Sequence, residues 1–160
     1  MTIRKAVPKD VAVLAQLTSV CFLPEEAISE EQIAERFKIY PEHFWILEDR
    51  GKIVAYINGM ATDQLTIQDE MFYNPNLHEN NGSWQTILGV NTDPEYRKRG
   101  YAGKLMEQVI ADAKKKGRKG CILTCKKELI HYYEKFGFKD EGISKSSLTG
   151  AIWYDMRLEF

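Results

Sequence analysis

Seven consecutive residues, Arg97-Lys98-Arg99-Gly100-Tyr101-Ala102-Gly103, combine three cations with three small side chains. They stand where a loop turns into a long periodic helix. The first amides of a helix have no partner inside it, and the helix dipole leaves that end partly positive. Phosphate binds such an end. Gly100, Ala102 and Gly103 let it approach the backbone, and Arg97, Lys98 and Arg99 add charge that can pair with its oxygens. Cations at a helix start oppose the dipole, which argues against a merely solvated helix end. The spacing fits neither the P-loop pattern nor a dinucleotide fingerprint. From residue types alone, this is an anion site of unspecified purpose.

Other reactive side chains are scattered. His78, Glu70 and Asp63 fall in an irregular stretch from Ala61 to Gly82; each is either a candidate general base or an ordinary surface residue. His43 and His131 read as surface or helix-end residues. Cys21, Cys121 and Cys125 are too few and too unevenly spaced for a disulfide framework. Cys121 and Cys125 share one face of a strand, no second pair stands at ligand spacing, and no metal site is expected. Buried, reduced cysteines are the better reading. The run Lys114-Lys115-Lys116-Gly117-Arg118-Lys119 lies at a helix C-terminus, where cations are favoured, and reads as a solvated helix end.

A resemblance joins these pieces. Arg97-x-x-Gly100-x-Ala102, preceded by Pro94-Glu95-Tyr96, is similar to the signature of the GNAT (Gcn5-related) N-acetyltransferase superfamily. A second motif of that superfamily is matched by Tyr132-Tyr133-Glu134-Lys135-Phe136-Gly137-Phe138, and the order of elements fits over nearly the whole chain. Within the superfamily, Leu123-Thr124-Cys125, Tyr133 to Phe138, and the ending from Ser147-Leu148-Thr149 to Asp155-Met156 look most like the arylalkylamine (serotonin-type) N-acetyltransferases.

The resemblance implies acetyl-CoA as co-substrate and direct attack of a neutral amine on the thioester. It also implies that Leu88, Gly89 and Val90 pair with the pantetheine arm, and that the amides from Lys98 to Gly103 cradle the pyrophosphate. Tyr133 matches the tyrosine that protonates the departing thiolate. A phenol of pKa about 10 beside a thiol of about 8.5 suits that task. The arylalkylamine enzymes carry two histidines on the strand before the signature loop; Trp84 and Thr86 hold those positions here, and neither is a general base. Trp84 either lines an amine pocket with Phe22 and Leu23 or belongs to the core; the sequence supports both equally.

These residues need elements to position them. A strand at 2–6 precedes a helix opened by Pro8, with Val11, Leu14, Leu17 and Cys21 on one face. Ser29-Glu30-Glu31-Gln32 is a capping box opening a second helix with Ile33, Phe37 and Tyr40 inward. Strands are expected at 44–48 and 53–60 around a turn, at Trp84–Val90, at 121–125, at 138–143 and at 151–159. Ala102, Leu105, Met106, Val109, Ile110 and Ala113 mark a long helix, and 128–136 a short one; 63–72 reads as partly helical. The expectation is one α/β domain over 1–160 with a mixed central sheet of six to seven strands and about four helices; the resemblance implies that a central strand pair splays to hold acetyl-CoA.

Composition agrees with such a domain. The 160 residues are 44% hydrophobic and 28% charged, with a formal net charge of -1. That balance gives no strong pull toward nucleic acid or an anionic membrane. No apolar run approaches the ~20 residues that span a bilayer, and the first ten residues lack a signal-like stretch, so a cytoplasmic place is expected. The expected partner is a small-molecule amine, with no nucleic acid and no membrane, for a monomer or homodimer. The competing functions are acetylation of a protein lysine or N-terminus, and non-catalytic acyl-CoA binding.

Overall fold

A hairpin organises the first part of the chain. Phe44–Asp49 (β2) and Lys52–Asn58 (β3) pair antiparallel around the Arg50-Gly51 turn. Phe44, Trp45, Ile46 and Leu47 are all buried, as are Val54 to Ile57, so both faces of the hairpin are covered. Thr2–Lys5 (β1) adds to the free side of β2, and Gly89–Thr92 (β6) to that of β3. The result is an antiparallel sheet in the order β1-β2-β3-β6, with β6 at its edge. The computed structural model describes the whole chain, Met1–Phe160.

Two helices complete this unit. Helix α1 (Val11–Cys21) follows a tight turn at Pro8–Asp10 and buries Leu14 and Leu17. The Asp10 carboxylate holds that entry, accepting from the Val7 amide at 2.8 Å and from Arg4 at 2.8 and 3.0 Å. Arg4 also reaches Glu48 of β2 at 2.8 Å. Helix α2 (Glu30–Ile39) opens on the expected capping box: Ser29 Oγ accepts from the Gln32 amide at 3.1 Å, and Gln32 Oε1 accepts from the Ser29 amide at 2.9 Å. Such a cap contributes ~1 kcal/mol. Its inward face carries Ile33 and, one turn on, Arg36, only 2% exposed.

The second unit comprises Met60–Leu88 and Ile110–Phe160, the first being Met1–Gly59 and Gly89–Val109. Its mixed sheet runs β4-β5-β7-β9-β8, from Ala61–Thr62 (β4), Trp84–Ile87 (β5), Gly120–Cys125 (β7), Tyr154–Glu159 (β9) and Lys139–Ile143 (β8). Only β5 and β7 are parallel. Helix α3 (Tyr101–Lys115) lies between β6 and β7 in the chain and buries Leu105, Met106, Val109 and Ala113. Helix α4 (Ile130–Glu134) follows β7.

The extended run Trp84–Thr92 changes partners at Leu88: β5 bonds to β4 and β7, β6 to β3. Counting that run as one strand and setting aside the two-residue β4 leaves seven strands, with four α-helices, as expected. Residues 63–72 are less helical than expected, forming only a short 3-10 turn at Asp69–Phe72, with another at Pro75–Leu77. No helix is long and apolar enough to cross a membrane.

Candidate active site

In the first unit, the anion-binding stretch is a main-chain construction. Lys98 and Gly100 both adopt positive φ, 64° and 77°, so the chain reverses twice before the helix. The amide of Lys104 is the first to bond back, to the Gly100 carbonyl at 3.1 Å. The preceding amides, through Gly103, therefore have no intrahelical acceptor. A Cβ on Gly100 would meet nothing within 4 Å, so the space above this turn is open. Just upstream, the outer edge of β6 has no strand against it. An extended chain bearing amides can pair there in the manner of an added strand.

The flanking side chains are tied down rather than splayed. Arg97 Nε donates to the Thr92 carbonyl at 3.3 Å. Arg99 folds back on the Tyr96 ring, 4.7 Å from its centroid, and donates to the Glu95 carbonyl at 3.4 Å. The Tyr101 hydroxyl donates to Asp49 at 2.8 Å. The anion-binding capacity therefore rests on amides first and cations second, reversing the weight that three consecutive cations suggest. Cys21, half-buried rather than buried, lies against the Thr92 carbonyl at 3.2 Å. Burial raises its thiol pKa, while Arg97 beside it pulls the other way. Phe22 and Leu23 follow as exposed apolar residues of the loop after α1.

In the second unit, Tyr133 on α4 is 7% exposed, its ring edge-on to Phe138 at 6.1 Å and to Tyr132 at 5.1 Å. Burial first, then Tyr132 and Cys125, push its phenol above the ordinary range, so it keeps its proton in neutral solution. Of the two adjacent tyrosines, Tyr133 is the more buried. Cys121 and Cys125 are buried and free, their thiols pushed up by burial to about 12 and about 11.

The candidate bases of the 61–82 segment serve its architecture. His78 Nδ1 accepts from the Ala61 amide at 3.0 Å, and burial with the Arg118 charge lowers its pKa, so it stays neutral. Asp63 accepts from the Ser83 amide at 2.9 Å, which lowers its pKa, and Glu79 beside it is raised by that carboxylate. Glu70 is exposed. Trp84 resolves to the core, buried with the Arg157 guanidinium 4.6 Å over its ring. Gly120 faces it, and a Cβ there would stand 2.8 Å from the indole and 1.9 Å from the Leu158 carbonyl. Thr86 is buried, its hydroxyl donating to the Met60 carbonyl at 2.8 Å.

Three surface expectations are corrected or kept. His43 is buried, not at the surface, its ring edge-on to Tyr40 and Trp45. Arg118 is not a solvated member of the basic run; it donates to the Gly82 carbonyl at 2.6 Å and to that of Asn80. His131 is exposed, paired with Glu134 one turn on. Sequence reasoning missed Arg36, although 33, 36, 37 and 40 fall on one helix face. Arg36 donates to Asn58 Oδ1 at 2.9 Å, at the end of β3 opposite Gly89. It also missed Arg157 on β9, which covers the Trp84 ring.

A family model described as acetyltransferase (GNAT) family matches residues 12–138. The chain belongs to this acetyltransferase (GNAT) family. Solved GNAT structures superpose on it throughout. The GphF GNAT-like decarboxylase in complex with isobutyryl-CoA has a TM-score of 0.85 at 18% identity, covering 99% of both chains. The ribosomal-protein-S18-alanine N-acetyltransferase from Escherichia coli reaches 0.75 at 18% identity, over 99% of this chain and 92% of that one. PaiA N-acetyltransferase from Thermoplasma acidophilum, in complex with coenzyme A, reaches 0.74 at 17% identity over 99% and 98%. At these identities the likeness is one of fold.

Proposed function

We propose that this GNAT chain is an acetyl-CoA-dependent N-acetyltransferase acting on a small primary amine, of arylalkyl type. The observation that carries the reading is the turn at Lys98–Gly103, whose unbonded amides follow an open strand edge. Amides in that arrangement suit a pyrophosphate, and the edge of β6 suits the pantetheine amides at Leu88, Gly89 and Val90. Lys98 and Arg97 add charge near the turn. Acetyl-CoA supplies the activated acyl carbon. Tyr133 holds a proton for the leaving sulfur, its hydrogen bond tightening as the sulfur gains charge. Phe22 and Leu23 offer apolar contact to the acceptor, and Trp84, buried under Arg157, belongs to the core.

A thiol-release assay with acetyl-CoA over a panel of arylalkylamines, polyamines and peptides tests this. The expected result is CoA thiol release with small primary amines and little with peptides. Preference for a peptide would move the assignment to protein acetylation, and no thiol release with any member of the panel would leave an acyl-CoA-binding module. The activity named for GphF is separated in the same assay, because decarboxylation leaves the thioester intact. Saturating acetyl-CoA should also raise Tm, since a ligand at 100 times its Kd adds ~2.7 kcal/mol to the native state.

A further inference from the structure

The β2–β3 hairpin closes on two residues, Arg50 and Gly51, with φ of 54° and 79°. Two successive left-handed residues make a tight reversal that matches the twist of the strands and leaves the hairpin end little freedom. The pair closing it is Asp49 opposite Lys52, and directly opposed residues share a face of the sheet. Both reach the segment 93–101 that leads through Lys98 and Gly100 into α3. The Asp49 carboxylate accepts from the hydroxyl of Tyr101, the first residue of that helix, at 2.8 Å. The Lys52 ammonium lies 3.4 Å from the Asp93 carboxylate and 5.1 Å from the centre of the Tyr96 ring.

The main chain adds a third tie. Leu47 faces Ala55 and Glu48 faces Ile53, so Val54 is one residue extra on β3. Such a bulge bends a strand and re-aims the residues around it. The Val54 carbonyl accepts from the Asp93 amide at 2.8 Å. What lies between the two ends of the segment is held less well. Lys98 is a non-glycine residue at φ 64°, a conformation that persists only where the surroundings enforce it. Its exposed neighbours Arg97 and Arg99 reach main-chain carbonyls at 3.3 and 3.4 Å, beyond the usual range of an N–H···O bond. The shape of the turn therefore depends on its ends. Of the two side-chain ties there, Lys52–Asp93 is an ion pair with an exposed lysine, which contributes little. The Tyr101–Asp49 bond is part-buried and shorter.

We propose that Asp49 is a positioning residue for acetyl-CoA: through Tyr101 it holds the first turn of α3, so that the amides from Lys98 to Gly103 are in place for the pyrophosphate. The assignment rests on the reading of that turn as the pyrophosphate site. Its benefit is not one of charge. A carboxylate beside a helix start suits the helix dipole but repels a phosphate coming to the same end. What Asp49 supplies is a fixed acceptor on a rigid hairpin, toward which the Tyr101 hydroxyl is directed. Binding to a turn that already has its bound shape loses less freedom than binding to one that must first be ordered. Loss of either partner lets the turn adopt other shapes, and affinity falls with the fraction that stays competent.

The test titrates acetyl-CoA calorimetrically into the full chain and its variants, well below the Tm of each. Tyr101→Phe keeps the ring and loses the donor; Asp49→Ala loses the acceptor. Each should weaken binding about fivefold to tenfold. Asp49→Asn keeps an oxygen that accepts from Tyr101 and should bind within about threefold of wild type, a rescue that a charge role would not give. The double variant Asp49→Ala/Tyr101→Phe should bind within about twofold of the weaker single, because one interaction cannot be lost twice. Both singles within twofold of wild type, with Gly100→Val weakened tenfold, overturn the role of Asp49 and leave the turn as the pyrophosphate site. A double variant whose loss is the product of the two does the same, as does Asp49→Asn as weak as Asp49→Ala. Unchanged affinity in Gly100→Val, or no binding by wild type, overturns both readings. Should Asp49→Ala fail to fold, Tyr101→Phe and Asp49→Asn decide: loss in the first with retention in the second supports the proposal, and any other pattern refutes it.

Discussion

The turn proposed to hold the pyrophosphate in the first unit and the residue proposed to give a proton in the second are built from different materials. At Lys98–Gly103 the useful atoms are main-chain amides, presented by two positive-φ residues and the start of a 15-residue helix. In the second unit the useful atom is a side-chain hydroxyl, that of Tyr133 on a helix of five residues. A backbone site is contiguous in sequence and tolerates changes in side-chain identity, provided the chain can still make its turns. A side-chain site depends on each residue type and is assembled by register. Variants in the first unit should therefore move cofactor affinity, and those in the second turnover.

The largest effect should come from Tyr133→Phe. The ring and its edge-on packing with Phe138 are kept, and only the hydroxyl is lost. General acids contribute typically ~100-fold or more, so kcat should drop ~100-fold while Tm and the KM for acetyl-CoA hold. Unchanged kcat in steady-state assays would mean the phenol only packs, and the second unit would lose its distinction from the first.

Gly100→Val comes next and probes the opposite case. A β-branched residue at φ 77° is strained by roughly 1–3 kcal/mol, and its side chain would occupy the open space above the turn. Calorimetric titration should show acetyl-CoA binding weakened at least tenfold, with Tm lowered by a few degrees. Gly100→Asn tolerates positive φ better and should recover much of the stability while recovering less of the affinity. Equal recovery of both would show that conformation alone, and no close approach of the ligand, fixes glycine there.

This contrast also explains what the sequence disclosed. The 98–103 turn, the Ser29 capping box and the α3 stripe are local patterns, and each appears as expected because a few neighbouring residues suffice to specify it. The resemblance implies a splayed strand pair, but the residues do not mark where it parts: Trp84–Val90 reads as one strand, and only pairing with β7 on one side and β3 on the other divides the run at Leu88. Nothing local marks Arg36 as buried, since its burial depends on Asn58 arriving from another strand. Trp84 could not be resolved between pocket and core because the residue capping it, Arg157, lies 73 positions away in sequence.

Away from both sites, Asp10 gives a control on stability alone. Its carboxylate receives charge-assisted bonds from Arg4 and the Val7 amide, and these hold its pKa below the ordinary carboxylate value. Asp10→Asn should cost roughly 1–3 kcal/mol near neutrality. A depressed folded-state pKa stabilises above the unfolded value, about 3.9, and that contribution is lost as pH falls through the folded value. The Tm gap between wild type and variant should be constant from pH 8 to about 5 and close below about 4. A gap that persisted at low pH would point to packing instead of charge.

The smallest effect should belong to Thr86→Val. The position matches one of the two histidines of the arylalkylamine pattern, yet here the hydroxyl only donates to the Met60 carbonyl. That carbonyl also accepts from the Thr86 amide at 2.8 Å and from Gln85 Nε2 at 3.3 Å, so removing the hydroxyl orphans nothing. Valine has nearly the same shape, and the expected cost is about 1 kcal/mol or less, with kcat within twofold of wild type. A tenfold fall in kcat for Thr86→Val, at unchanged Tm, would give the β5 hydroxyl a part in turnover that its bond to Met60 does not explain.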